Sequence, residues 1–358
     1  GMALAYSSFR RGLPLSIRST LYTIFGDRIY GSLGFLADLL AVAGTVFGIA
    51  TSLGLGVQQI NAGLNYLSGI RIDIGTQILL IAIISIIATI SALTGVKRGI
   101  RILSVLNMRL TLLILLTFFI LGPTSYLITA LYQNSLDYIV NLPSLSVWVD
   151  PDTDSTWQGT WTIFYWGWWI AWAPFVSMFI ARISRGRTIR EFVVGVLLAP
   201  TILAIVWLTI FGNTAMFLEL YSDAGIAAAV NKDVSTALFT TIESMQAGTI
   251  TTIIIATVCV ALLVTYFITS ADSATLVICT LISMGNPNPT PRLRIFWGAA
   301  IGAVAAALLF AGGLDALRTA SILAALPFSI VVILASFSLC NGLLQEIREH
   351  DKTSAVSQ

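Results

Sequence analysis

One apolar segment holds the densest run of chemically distinctive residues in the chain: Trp161, Thr162, Ile163, Phe164, Tyr165, Trp166, Gly167, Trp168, Trp169, Ile170, Ala171, Trp172, Ala173, Pro174 and Phe175. At helical periodicity Tyr165, Trp168, Trp169 and Trp172 share one stripe, Trp161 extends it, and Trp166 lies to its side. One or two tryptophans at a helix end form the ordinary interfacial belt, which accounts for Trp148, Trp157 and Trp161. It does not account for Trp166–Trp172, which lie toward the middle of the span; packing of large rings is the alternative reading there. A ring-lined stripe away from water suits one ligand chemistry well. A quaternary ammonium has no N–H to donate, so it is held by dispersion and by the negative faces of π systems. Tryptophan is the strongest such partner, at about 2 kcal/mol per desolvated contact. Pro174 sits just below and removes a helix hydrogen bond; such breaks free carbonyls to meet ions or substrate in mid-membrane.

A second set of polar residues interrupts another apolar rod. Tyr266, Thr269, Ser270 and Ser273 recur at i, i+3, i+4 and i+7, with Asp272 beside them. Hydrogen bonding between membrane helices explains such a stripe. The sharper reading is a site for a hard cation such as sodium, which takes oxygen ligands from hydroxyls and carbonyls. Asp272 is a functional candidate as an intramembrane carboxylate, or else faces a water-filled vestibule. Thr45, Gly48, Ser52 and Gly56 form a small-residue stripe that reads as close helix packing, with Thr45 the one member offering a second role. The only histidine is His350, in the tail, which excludes haem-bundle and zinc-dependent chemistry built on paired histidines. No Gly-Lys-Ser/Thr phosphate loop occurs, so no ATPase motor lies on this chain. With no catalytic constellation visible, neither an enzyme, a resident metal centre, a cofactor nor a nucleic-acid partner is expected.

The elements that carry these residues must cross lipid. The chain has 358 residues, 57% hydrophobic and 10% charged, with a mean hydropathy of +0.90. No water-soluble core hides that much apolar surface. One all-α membrane domain over 1–358 is expected, with eight spans at about 30–68, 74–96, 108–132, 157–181, 191–217, 246–284, 294–313 and 319–344. The first and sixth are long enough to require tilt or extension beyond the bilayer. The connection 133–156 contains Ser135–Leu142, a segment that could lie along the outer interface. Arg10, Arg11, Arg18 and Arg28 precede the first span; Lys97, Arg98 and Arg101 follow the second. Arg182, Arg185, Arg187 and Arg190 follow the fourth, and Arg292 and Arg294 the sixth. The intervening loops carry Asp137, Asp150, Asp152, Asp154, Glu219, Asp223, Asp233 and Glu243. This alternation places the basic loops and both chain ends in the cytoplasm. Cys259, Cys279 and Cys340 all lie in apolar stretches and form no disulfide framework. The chain opens on Gly1 with no signal peptide, and Gly1–Tyr6 reads as the tail of a helix, so further spans are expected upstream.

The segment 164–175, FYWGWWIAWAPF, followed by ARISRGRTIREF at 181–192, resembles the signature of the betaine/choline/carnitine transporter family. TVFGIATSLGLGVQQINAGL at 45–64 and FITSADSATLV at 267–277 agree in order and spacing, so the resemblance covers almost the whole chain. It implies a leucine-transporter-like fold of inverted five-helix repeats within a twelve-span subunit. The spans here would be the last eight: an incomplete first repeat and a complete second one. The resemblance also implies a homotrimer in a bacterial inner membrane, C-terminus cytoplasmic. Its substrate would sit in an aromatic box to which Trp169 contributes, with Trp168 and Trp172 lining the access route and Trp166 and Tyr165 on the same helix. In sodium-coupled members one ion is held by the pair matching Thr269 and Ser270 and by a carbonyl matching that of Tyr266. A second ion takes two threonines and a phenylalanine; Thr45 and Phe175 match two of these, whereas Ile49 replaces the second threonine. The short tail departs from the long basic helix of osmotically regulated members. The implied activity is secondary, sodium-coupled import of glycine betaine, choline or carnitine by alternating access. The rivals are a sodium-independent substrate/product exchanger and a truncated, transport-inactive fragment.

Overall fold

The computed structural model describes residues 1–94, 99–152, 156–286 and 288–356. Lys97, Arg98 and Asp154, three of the loop charges, and the side chain of His350 lie outside what it describes. Among the described residues all regular structure is helical. A short α1 (Met2–Ala5) runs into a wide turn at Tyr6–Arg10. After α2 (Tyr22–Phe25) come α3 (Ser32–Ser68), α4 (Ile74–Thr94), α5 (Gly99–Leu121) and α6 (Thr124–Ser146). Then follow α7 (Phe164–Ile183), α8 (Ile189–Ser222), α9 (Ile226–Lys232), α10 (Ala237–Ser244), α11 (Thr249–Ile282) and α12 (Pro291–Val356). Among the described residues seven helices are long and apolar enough to cross a membrane by length and composition. The chain is thus an all-α polytopic membrane protein.

Two boundaries differ from the sequence reading, each for a local reason. The third span was expected at 108–132. The helix instead ends at Leu121, and a new one starts at Thr124 after Pro123. Proline has no N–H and disfavours helical geometry in the residue before it, so Gly122–Pro123 ends α5 despite the apolar residues on either side. Ser135–Leu142 falls inside α6, where only Leu127 and Ala130 are buried. The seventh and eighth expected spans form one helical stretch, α12, with no connecting loop at 314–318. Its helical geometry is broken only at Gly312 (φ −163°) and Gly313 (φ 62°, ψ −144°). The left-handed φ of Gly313 is one that glycine adopts without steric penalty. The last two expected segments are therefore joined in one helix at a two-residue kink, and the third ends early at Leu121. The three cysteines are free, and Cys259 and Cys279 are buried.

The chain forms two compact units. The first comprises Gly1–Thr51, Gly159–Val193 and Ala271–Gln358; the second comprises Ser52–Gln158 and Val194–Ser270. In the first unit α7 packs chiefly against α12 and also against α1. Glycines permit the closest approaches. A Cβ on Gly167 would stand 2.9 Å from the side chain and 3.2 Å from the Cα of Ile322 in α12. A Cβ on Gly44 would stand 3.1 Å from the Ala171 carbonyl oxygen, and one on Gly48 3.3 Å from the Trp172 nitrogen. So the N-terminal half of α3 lies directly on the backbone of α7. In the second unit Gly56 receives the ring of Phe267, and Gly63 receives Val260 and Phe239. The small-residue stripe of α3 is therefore a packing device, as expected, and Gly44 extends it.

The segment before α3 contributes a buried ion pair. Arg18, counted from sequence among the cytoplasmic loop charges, is only 9% exposed, and Asp38 of α3 only 6%. The Arg18 backbone N–H donates to Asp38 Oδ1 at 2.9 Å and its Nε donates to Oδ2. Ser16, Ser19 and Thr20 are buried around it.

Candidate functional site

The helix that carries the tryptophan run is continuous from Phe164 to Ile183, with Pro174 buried inside it rather than dividing it. Proline cannot donate to the carbonyl of Ile170, so one helix hydrogen bond is missing without a break. Along this helix the aromatic side chains touch in series. Trp161 stacks on Tyr165 at 5.9 Å, Tyr165 meets Trp168 edge-on at 5.8 Å, and Trp168 meets Trp169 at 6.4 Å. Trp169 then meets Trp172 edge-on at 5.6 Å, Trp172 meets Phe175 at 5.3 Å, and Phe175 meets Phe179 at 5.4 Å. Edge-to-face contacts of this kind place the positive edge of one ring on the negative face of the next.

The rings of this ladder differ in what they leave free. Trp169 is 56% exposed and Tyr165 42%, so their faces are open. Trp166 is 69% exposed and stands off the ladder. Trp168 is half-buried, and its indole N–H donates to the Gly48 carbonyl at 3.1 Å. That bond ties the ladder to α3, so Trp168 has an anchoring task that the sequence reading did not give it. Trp172 is half-buried, with its indole nitrogen shut away from solvent. At the end far from Pro174, Phe164 is buried and lies parallel to Trp168 at 5.8 Å. The guanidinium of Arg318, from α12, sits 5.1 Å above the Phe164 ring. Phe164 and Arg318 were missed from sequence, because nothing in the spacing of 164 and 318 announces their contact.

The hydroxyl set on α11 divides between the two units. In the second unit Thr269 donates to the carbonyls of Tyr266 at 2.9 Å and Thr265 at 3.1 Å, and accepts from Asn107 Nδ2 at 3.3 Å. The Tyr266 hydroxyl pairs with that of Thr111, which also bonds the Asn107 carbonyl at 2.7 Å. Asn107 and Thr111 thus clasp Tyr266 and Thr269 from α5. Their i, i+4 spacing in an apolar span was a legible signal that the sequence reading passed over. Ser270 is half-buried beside Thr269. In the first unit Asp272 is 1% exposed, against the reading that it faces a watery vestibule, and Ser273 is 9% exposed.

The residues of the expected second ion site are all in the first unit. Thr45 is fully buried and donates to the Ala41 carbonyl at 2.8 Å. Ile49, one turn on, is fully buried and supplies no oxygen. Phe175 is buried, its ring held between Trp172 and Phe179.

The family model described as "BCCT, betaine/carnitine/choline family transporter" matches residues 1–348. The chain belongs to this family. It is 45% identical over 95% of its length to an uncharacterized transporter of Mycobacterium bovis, of which it covers 57%. It is 43% identical over 97% of its length to a glycine betaine/proline/choline transporter of Vibrio parahaemolyticus, of which it covers 62%. It is also 43% identical over its whole length to the glycine betaine transporter OpuD of Bacillus subtilis, of which it covers 69%. The chain thus spans a little over half the length of several of these relatives. The aromatic ladder and the α11 hydroxyls both lie inside the matched region. Membership of a transporter family agrees with the expectation that this BCCT chain is not an enzyme.

Proposed function

We propose that this BCCT chain forms the greater part of a secondary transporter that imports a quaternary-ammonium solute, with glycine betaine first among the candidates. The observation that carries the reading is the aromatic ladder of α7, with the faces of Trp169 and Tyr165 open. A methylated ammonium docks on such faces without needing a hydrogen-bond acceptor. Two of the relatives quoted above are named for glycine betaine. Trp169 is the principal ring, and Trp168, Trp172, Trp166 and Tyr165 complete the aromatic surface. We further propose sodium as the coupling ion, held by Thr269, Ser270 and the Tyr266 carbonyl. The Thr269 proton is spent on helix carbonyls and one lone pair on Asn107, which leaves a lone pair to face a cation. Thr45 and Phe175 are the remnant of a second ion site that Ile49 weakens. The protein would act as a homotrimer in a bacterial cytoplasmic membrane, cycling by movement of one helix group against another around the site.

The test is uptake of labelled glycine betaine, choline and carnitine by the protein in proteoliposomes, with and without a sodium gradient. Sodium-driven uptake with a Hill coefficient near one is expected, and Thr269→Ala or Ser270→Ala should raise the sodium requirement steeply. Uptake that needs only internal substrate, and is indifferent to sodium, would replace the symport reading with exchange. A coefficient approaching two would restore the second site.

A further inference from the structure

The aromatic ladder accounts for a methylated ammonium but not for the other end of a zwitterion. A fixed cation lies at the end of the ladder. Arg318 enters from α12 five residues beyond Gly313, and its side chain is 24% exposed. Its guanidinium carbon sits 5.1 Å from the centre of the Phe164 ring, and Phe164 lies parallel to Trp168, itself bonded to the Gly48 carbonyl. The guanidinium is thereby held against a ring, with its N–H donors along its edges. Those donors are poorly used. Nη1 stands 3.8 Å from Asp315 Oδ1, whose side chain is 92% exposed, and buried Nε makes no hydrogen bond among the described residues. A contact that long to a solvated carboxylate contributes little.

We propose that Arg318 is a specificity-determining residue that takes the carboxylate of a zwitterionic quaternary ammonium as its methylated end meets the ladder. This rests on the proposed function and narrows its substrate class to ammonium carboxylates. Arginine presents two parallel N–H donors that match a carboxylate in a way that no ring can. The same positive charge repels a ligand that is only a cation. A betaine-type solute therefore gains at both ends, whereas choline gains at the rings and loses at Arg318.

The experiment measures binding of glycine betaine and of choline to the purified, folded protein by tryptophan fluorescence. Arg318→Gln should weaken glycine betaine about tenfold and leave choline unchanged or tighter. Arg318→Lys keeps the charge without the fork and should weaken glycine betaine by less, again sparing choline; it carries the test if the Gln variant does not fold. Asp315→Asn removes the competing carboxylate and should leave glycine betaine binding as tight or tighter. Equal losses for both ligands, or a loss in Asp315→Asn matching that in Arg318→Gln, would reduce Arg318 to a structural tie. A wild-type protein that prefers choline would overturn this inference alone. One that binds neither ligand would overturn the proposed function with it.

Discussion

Trp168 and Trp169 are neighbours in sequence and are put to different uses. Trp168 spends its indole N–H on the Gly48 carbonyl, while Trp169 keeps more than half of its surface open. If Trp169 holds an ammonium by its face, ring electrons matter more than bulk. Trp169→Leu should then lose about 1–2 kcal/mol of substrate affinity, roughly five- to thirtyfold, and Trp169→Phe or Trp169→Tyr should lose less. Trp148 packs edge-on against Trp157 at 5.2 Å, and Trp148→Leu is the control that should bind nearly normally. The check is a binding titration on folded variants. Should Leu bind as well as Phe at position 169, the ladder serves packing alone. At this scale the run of rings was legible by composition, since tryptophans in mid-span stand out from the interfacial belt. The anchoring role of Trp168, the Asn107–Thr269 bond and the Arg318–Phe164 contact were not legible, because each joins residues on different helices.

At the scale of elements, hydropathy located the apolar rods, and glycine and proline decided where they end. Gly122–Pro123 cut the run of apolar residues within the expected span 108–132. Close packing was legible as a stripe on α3 because small residues at four-residue spacing have one geometric consequence. The ion pair between Arg18 and Asp38 had no such signature, since the two lie 20 residues apart in a non-periodic stretch. It fastens the segment before α3 to that helix. Removing one partner strands the other charge among buried neighbours, so Asp38→Leu should destabilise the folded protein by about 3–5 kcal/mol. Replacing both, as Arg18→Met with Asp38→Leu, should recover most of the loss, because the desolvation cost of both charges disappears. Chemical unfolding in detergent measures both variants. A single mutant as stable as wild type would mean that water reaches the pair.

At the scale of the whole molecule, the charge pattern of the loops bears on orientation. Arg182, Arg185, Arg187 and Arg190 crowd the end of α7 and the start of α8, while Asp150 and Asp152 precede α7. Since basic residues are retained on the cytoplasmic side, the Pro174 end of α7 should face the cytoplasm and the Phe164 end the exterior. Arg18 must be left out of that count: it is buried in an ion pair, and a neutralised charge gives no orientation signal. Arg182 in the last turn of α7 and three arginines beyond it remain, so the expectation stands without Arg18. Orientation also decides what the fixed charge at Arg318 meets. With the Phe164 end outside, Arg318 lies at the outer end of the ladder; with the reverse orientation it lies at the inner end. Single cysteines at positions 152 and 185, in a background lacking Cys259, Cys279 and Cys340, separate these cases. In intact cells an impermeant maleimide should modify position 152 and spare 185 until the membrane is permeabilised. The opposite pattern would invert the topology and put Arg318 at the cytoplasmic end of the ladder.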